Sequence, residues 1–326
     1  MGDRTSIEWT DASWNPVTGC TKVSPGCDHC YAETIAHRFA GTKAYPAGFA
    51  VTLRPERLDQ PIRWARTRRV FVNSMSDLFH RDVPDDYIAQ VWARMAASRR
   101  HTFQVLTKRP ARMRALLRSA NFVELVHRKW IERPQQPPSW RWPLPNVWGG
   151  VSVESQQWAE NRIPILLDTP LAIRFVSAEP LLGPLDLAGW LHDSTCAYRA
   201  EDVCTCYPPY EDCIDWVIAG GESGTGARPM HPDWARSLRD QCATSRAAFH
   251  FKQWGEWYPG RVVADDTMSG GAYYTGSPVV GGQLAVSSPN VHDFGGGVGA
   301  YRIGKRLAGR ELDGRTWDEY PPAVAR

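Results

Sequence analysis

Seven short apolar runs alternate with helical patterns along the first 257 residues, and this alternation constrains the fold more than any other feature of the chain. The runs are "RVFVNSMSD" (69–77), "TFQVLTKR" (102–109), "NVWGGVSVE" (146–154), "AIRFVSAE" (172–179), "DWVIAGGES" (215–223) and "FHFKQWGE" (249–256), with "WNPVTGC" (14–20) as a weaker first member. Each is nearly continuous in apolar character and ends in polar or glycine residues. Strands covered on both faces, as in parallel sheets, read this way. Between them, "DVPDDYIAQVWARMAASRR" (82–100) places Pro84 in a first turn and Ile88, Val91, Trp92 and Met95 on one face. "PARMRALLRSANFVELVHR" (110–128), "ESQQWAENRIPILLD" (154–168), "HPDWARSLRDQCATSR" (231–246) and "DHCYAETIAHRFA" (28–40) read as further helices. Cys242 falls on an apolar stripe with Trp234 and Leu238, as a buried thiol would.

Strand and helix repeated seven times predict a parallel α/β fold. Periodicity does not separate an open doubly wound sheet from a barrel. The polar residues at the strand ends favour the barrel, where such positions share one mouth. The expected architecture is a partial or complete TIM-like (β/α) barrel over residues 1–257, with an irregular, Gly-rich or small-β C-terminal extension over 258–326. Residues 129–146, rich in Pro and Trp, read as an ordered loop or lid, and 186–214 as a Cys-containing insertion. Asp313-Gly314 inside "ELDGRTW" is a hairpin signal.

A net charge of +3, from 38 basic and 35 acidic residues, neither demands nor excludes a nucleic-acid partner. No apolar run is long enough to span a membrane, and "MGDRTSIEWTDASWNP" has no signal-peptide core. With eight cysteines in the chain, the expectation is a cytoplasmic, reducing setting in which grouped thiols bind metal rather than form disulfides.

The first group of thiols is "GCTKVSPGCDHCYAE" (19–33), with Cys20, Cys27 and Cys30 in the loop between the first strand and its helix. Cys27 and Cys30 are three apart, so a turn can aim both at one ion, and Cys20 closes the site from the strand end. Three soft ligands suit an iron–sulfur cluster with one open iron. A zinc site completed by His29 or His37, or three ordinary buried thiols, fits the spacing as well. The second group, Cys196, Cys204, Cys206 and Cys213, matches a four-thiolate zinc site or auxiliary cluster in number but not in the usual spacing.

Together, "GCTKVSPGCDHCYAE", "VFVNSMSDLFH", "LTKRP", "GVSVE", "SAEPLLGPLDL", "IAGGESG" and "FKQWGEW" give the chain its resemblance to an uncharacterised radical-SAM-like family of phages, prophages and bacteria known by its three-Cys motif. The resemblance spans about residues 6–258, plus "GKRLAGRELDGRTW" near the end. It implies a [4Fe–4S] cluster on Cys20, Cys27 and Cys30, with S-adenosylmethionine on the fourth iron through its amino and carboxylate groups. It further implies one-electron cleavage to a 5′-deoxyadenosyl radical, an electron donor of flavodoxin or ferredoxin type, and His29 beside the adenine. The cysteines are separated by six and two residues, where the common motif has three and two. The usual Gly-Gly-Glu element does not follow the second strand. Ser74 and Asp77 stand there as candidates for the S-adenosylmethionine amino group, while Gly220, Gly221 and Glu222 follow the sixth strand.

The other strand-end residues, Lys108, Arg109, Glu154, Glu179, Glu222, Lys252 and Gln253, give the mouth mixed charge. Lys108 or Arg109 suits a cofactor carboxylate. Glu154, Glu179, Glu222 and Lys252 are the candidates for work on the substrate, a nucleic acid or a protein. Gly220 and Gly221 would let a cofactor approach the backbone. Several of these charges could instead pair with one another as structural ion pairs. The same three glutamates would suit a divalent metal, so a metal-dependent barrel hydrolase is the first alternative. A zinc-binding nucleic-acid module, with Lys305, Arg306, Arg310 and Arg315 on phosphates, is the second.

Overall fold

The computed structural model describes residues 5–132, 139–192, 213–265, 271–275, 284–285 and 288–322. Seven strands form one parallel sheet: β1 (Ala12–Trp14), β2 (Arg69–Val72), β3 (Thr102–Thr107), β4 (Val147–Ser152), β5 (Ile173–Ala178), β6 (Trp216–Gly220) and β7 (Ala248–Gln253). Their order in space is their order in the chain, and every neighbouring pair is parallel. Right-handed crossovers that all step in one direction place the connecting helices on one face. A doubly wound sheet needs a reversal of direction, and there is none. The sheet therefore curls as a half-barrel, a partial TIM-like barrel in which β1 and β7 are the two edges.

The helices are α1 (Tyr31–Arg38), α2 (Asp85–Ala97), α3 (Pro110–Arg118), α4 (Ala120–Ile131), α5 (Gln156–Leu167) and α6 (Pro232–Ala243). In α2 the expected stripe of Ile88, Val91, Trp92 and Met95 is buried with Val70, Val72, Phe103 and Val105 of the sheet. Asp85 and Asp86 stand in its first turn, where carboxylates favour the positive end of the helix dipole. The pattern at 110–128 reads as one helix but forms two. Ser119 interrupts it in an extended conformation, and its hydroxyl accepts from the Phe122 amide as the cap of α4. Cys242 is buried in α6, as its stripe predicts.

The opposite face of the sheet buries Trp9, Phe71, Trp148, Ile173, Phe175, Trp216 and Ile218. Trp9 lies 4.5 Å from Phe71 and meets Trp216 edge-on at 6.1 Å, both between ring centroids. This aromatic plug closes the floor of the half-barrel and leaves the C-terminal strand ends as its mouth.

Beyond β7, an antiparallel sheet is built from β8 (Trp257–Asp265), β9 (Gly271–Thr275), β10 (Leu284–Ala285), β11 (Val291–Gly295) and β12 (Val298–Arg302), in the order β10-β9-β8-β12-β11. The Asp313-Gly314 turn has φ of 55° and 72°, and Leu312 bridges Arg315, as the hairpin signal predicts. The chain then returns to the barrel. The Phe251 amide donates to Trp317, Glu319 to Phe249, and the Trp216 indole to the Glu319 carbonyl. This last segment covers the free edge of β7. It reaches back across the floor, where Arg69 lies over the Tyr320 ring at 3.8 Å.

Of the second cysteine group, Cys196, Cys204 and Cys206 lie outside the described residues, and Cys213 is buried just before β6. No helix among the described residues is long and apolar enough to cross a membrane.

Candidate functional site

The three-cysteine loop leaves β1 through Gly19, whose φ of 86° is open to glycine and whose added Cβ would lie 2.2 Å from the Ala50 carbonyl oxygen. Gly19 bridges Ser76 just beyond β2. From there the loop crosses the mouth, and residues from four later strands hold it.

At the near side, Arg109 Nη1 donates to Cys20 Sγ at 3.4 Å and to Asp77 Oδ2 at 3.0 Å, and Nη2 donates to the Thr21 carbonyl at 2.9 Å. Burial and the nearby Asp77 charge push the Cys20 thiol up to about 11, against the opposing pull of Arg109. Asp77 also accepts from the Phe79 amide, the Thr107 hydroxyl and the Lys108 amide. It thereby fixes the start of the β3–α3 loop, and its acceptor capacity is largely used. Ser74 exchanges hydrogen bonds with Asn15. The half-exposed Tyr31 at the start of α1 donates to the Ser74 carbonyl. Lys108 is half-buried beside them, and its ammonium forms no ion pair among the described residues.

At mid-loop, the Gly26 amide donates to Glu154 Oε1 at 3.2 Å, while Arg162 Nη1 donates to Glu154 Oε2 at 3.0 Å. Glu154 and Arg162 have side chains 1% and 3% exposed, and Arg162 stacks on Trp158. Breaking a buried pair strands the remaining charge. Glu154→Ala is therefore expected to cost about 3–5 kcal/mol in a denaturant melt. An unchanged midpoint would show that Arg162 does not depend on Glu154.

The far side is a clamp centred on Glu222. Its carboxylate accepts from His29 Nδ1 at 3.0 Å, from the Arg228 amide at 2.8 Å, and from Arg228 Nε and Nη2 at 2.9 and 2.6 Å. The same guanidinium donates to the Pro25 carbonyl at 2.9 Å and to Asp28 at 3.3 Å. One arginine thus grips both ends of the turn that carries Cys27 and precedes Cys30. Burial raises the Glu222 pKa, but bonds from Arg228 and His29 outweigh it and hold the carboxyl below its usual range. Gly226 lets the β6–α6 loop approach: its φ is 78°, and an added Cβ would lie 3.0 Å from His29 Nε2.

Glu179 differs from the other strand-end carboxylates. Among the described residues it accepts from the Ser177 hydroxyl at 3.2 Å and pairs with Lys252 Nζ at 2.8 Å. Both side chains retain some exposure, 12% and 19%. Gly220 lies against Glu179, with a Cβ position 3.1 Å from Oε1. Gly221 is explained by packing, since a Cβ there would lie 2.0 Å from the Trp254 carbonyl oxygen. Gln253 donates to the Ser223 hydroxyl at 2.6 Å. Each of the three glutamates therefore has its own cation, which disfavours a shared divalent-metal site.

Arg162 and Arg228 carry no signal in the sequence that marks them as site residues. Lys305 and Arg310 pair with Glu8 and Asp318, and Arg315 lies over Trp317, so the basic C-terminal group is partly neutralised or stacked.

Cys20, Cys27 and Cys30 are half-buried free thiols. Burial raises the Cys30 thiol, against the pull of the Glu33 and Ala32 amides, whereas Cys20 is engaged by Arg109. Among the described residues no three His, Cys, Asp or Glu side chains are gathered in metal-binding geometry. In chemistry the set nevertheless suits a thiolate-held cluster. It comprises three half-buried sulfurs on one loop, with the Arg109 guanidinium donating to one of them.

A family model described as "Protein of unknown function (DUF5131)" matches residues 4–321. No curated protein matches the chain. Among solved structures, spore photoproduct lyase complexed with dinucleoside spore photoproduct is similar at a TM-score of 0.34 and 10% identity, over 88% of this chain and 67% of that one. A likeness of that degree carries no argument about activity.

Proposed function

Because this chain belongs to the DUF5131 family, whose function is unknown, its activity has to be read from its own mouth, and we propose that it is a radical S-adenosylmethionine-type enzyme. The observation that carries this reading is the placement of the three-thiol loop. It lies across the C-terminal end of a parallel half-barrel, tied there by Arg109, Glu154, Glu222 and Arg228. Parallel α/β folds bring reactive groups together at that end. The loop is thus fastened to that end from three strand ends, those of β3, β4 and β6.

Cys20, Cys27 and Cys30 would hold a [4Fe–4S] cluster, which when bound supplies one-electron reductive cleavage of S-adenosylmethionine. The chain's own residues set the surroundings. Arg109 directs a cationic N–H at Cys20 Sγ, which partly offsets the burial and the Asp77 charge that keep this thiol protonated. His29, fixed through Nδ1 on Glu222, presents its ring beside the last cysteine, where an adenine would stack. Lys108 offers a cation for the cofactor carboxylate.

Glu179 and Lys252 form the substrate-handling pair. Among the described residues of the mouth, they combine a direct proton path, Lys252 Nζ to Glu179 Oε1, with spare acceptor capacity on Glu179. The rim suits a macromolecular substrate, a nucleic acid or a protein: Val23, Tyr31, Ile35 and Phe39 are 37–49% exposed beside the loop and along one face of α1.

The test is anaerobic incubation of the reconstituted chain with dithionite and S-adenosylmethionine. Formation of 5′-deoxyadenosine and methionine is expected. Intact S-adenosylmethionine over a fully loaded cluster would overturn the reading.

A further inference from the structure

The end of the half-barrel opposite the mouth carries a concentration of positive charge. Residues 60–70, which lead into β2, and 97–102, which lead into β3, hold Arg63, Arg66, Arg68, Arg69, Arg99 and Arg100 and no carboxylate. Contacts draw the two segments into one surface. Arg100 Nη2 donates to the Ile62 carbonyl at 2.6 Å, and the Thr102 amide donates to the Arg68 carbonyl at 2.9 Å. Trp64 meets His101 edge-on at 5.8 Å between ring centroids, and Arg68 lies over the Trp64 ring at 5.7 Å. Arg99 donates to the Ser139 hydroxyl at 3.1 Å, which brings the segment of the exposed Arg141 to the rim.

This charge is largely uncompensated. Asp11 and Asp59, at its border, are engaged by Arg69 and Arg94. Among the described residues, Arg63, Arg66, Arg99 and Arg100 pair with no carboxylate, and Arg63, Arg66 and Arg100 are exposed. Arg99 and Arg100 are held by a serine hydroxyl and a backbone carbonyl, contacts that fix a guanidinium without neutralising it. The buried His101 registers the field. Burial lowers its pKa, and the Arg100 and Arg68 charges lower it further, against the Pro61 carbonyl. The C-terminal basic group, by contrast, is partly neutralised or stacked.

We infer that this arginine-lined pole binds the phosphate backbone of a nucleic acid. Planar guanidinium forks match phosphate oxygens two at a time, and the cations here are all arginines. A protein partner would want an exposed apolar anchor at the centre of its interface, and none of the exposed large apolar side chains belongs to these segments. The six residues of β3 separate the pole from the mouth by about 20 Å of strand. A polymer spans that distance, with phosphates recurring about every 3.4 Å along each duplex strand. The inference deepens the proposed function by naming the macromolecule that the mouth serves, and it rests on that reading for the reaction alone.

The test is fluorescence anisotropy of a labelled DNA duplex, with an RNA of the same length as second probe, on the full-length reconstituted chain over a salt series. Wild type is expected to bind with an affinity that falls steeply as salt rises. Arg63→Ser/Arg66→Ser removes two exposed charges without a carboxylate partner, so it should melt like wild type. It should bind about tenfold more weakly and lower the log–log salt slope by about two. Arg63→Lys/Arg66→Lys should restore the slope, which counts charges, and Lys305→Ser/Arg306→Ser should bind like wild type. A double serine variant at 63 and 66 that keeps the wild-type affinity and slope overturns the inference, as does a wild type that binds neither probe. Competition by polyglutamate or phosphatidylserine vesicles as effective as by unlabelled DNA of equal charge also overturns it, in favour of an acidic protein or a membrane surface. In each case the proposed function is left standing, because cleavage of S-adenosylmethionine without substrate is measured separately on the same preparations. Absence of that cleavage, with nucleic-acid binding intact, would sink the proposed function and leave the binding pole.

Discussion

Arg228→Ala should yield a folded chain that surrenders its iron to a chelator about tenfold more readily than wild type, the scale of loss seen when residues supporting metal ligands are removed. The guanidinium is the hub of the clamp, joining Glu222, Pro25 and Asp28. Without it, Glu222 keeps only His29 as a side-chain donor, and the turn bearing Cys27 loses two tethers to the β6–α6 loop. The cost in global stability should be smaller, about 2 kcal/mol, because Arg228 is partly exposed and solvent screens its charge. Arg228→Lys should recover little, since an ammonium cannot reproduce the forked contact. Acid should mimic the mutation. The Glu222 pKa is depressed in the folded chain, so the clamp contributes fully above the ordinary carboxylate range and is lost as pH falls through that lowered value. Iron retention in the Arg228→Ala variant that matches wild type would show that the loop holds its shape without the clamp.

Lys252→Met should separate cofactor chemistry from substrate chemistry. With a deuterated nucleic-acid and protein extract as substrate source, wild type should transfer deuterium into 5′-deoxyadenosine. The variant should do so about a hundredfold less, the scale of loss when a group that positions the substrate for reaction is removed. Its iron content and its cleavage of S-adenosylmethionine without substrate should be unchanged, because Lys252 contacts Glu179 and not the cysteine loop. Glu179→Gln should behave alike, since it removes the other end of the same proton path. Parallel loss of uncoupled cleavage would instead place the pair on the cofactor.

Much of this architecture is legible in the sequence because burial on both faces leaves a continuous apolar run. The six stronger runs all contain strands, with edges set by where the polar mouth begins. The weakest run starts too late: β1 lies at Ala12–Trp14, and past Pro16, which cannot donate to a sheet ladder, Val17–Thr18 leave the parallel sheet to pair antiparallel with Thr52–Leu53. The α3–α4 break was obscured because Ser119 lies within an otherwise unbroken helical pattern. Periodicity does not separate open sheet from barrel, because that depends on spatial strand order, but the polar strand ends point to the barrel, and the sheet is a half-barrel.

For the site, strand-end position identified the mouth but not its pairings. Glu154, Glu179 and Glu222 look equivalent in sequence. What distinguishes them is Arg162, eight residues after Glu154 and turned back under it, and Arg228, six residues after Glu222 and folded over it. No spacing rule announces such contacts.

The account stands or falls on what Cys20, Cys27 and Cys30 hold, and iron and sulfide analysis after anaerobic reconstitution measures this directly. About four irons and four sulfides per chain are expected, with a brown chromophore that bleaches on reduction and disappears when any one of the three is replaced by alanine. A colourless protein with stoichiometric zinc, or full iron content in Cys20→Ala, would contradict it.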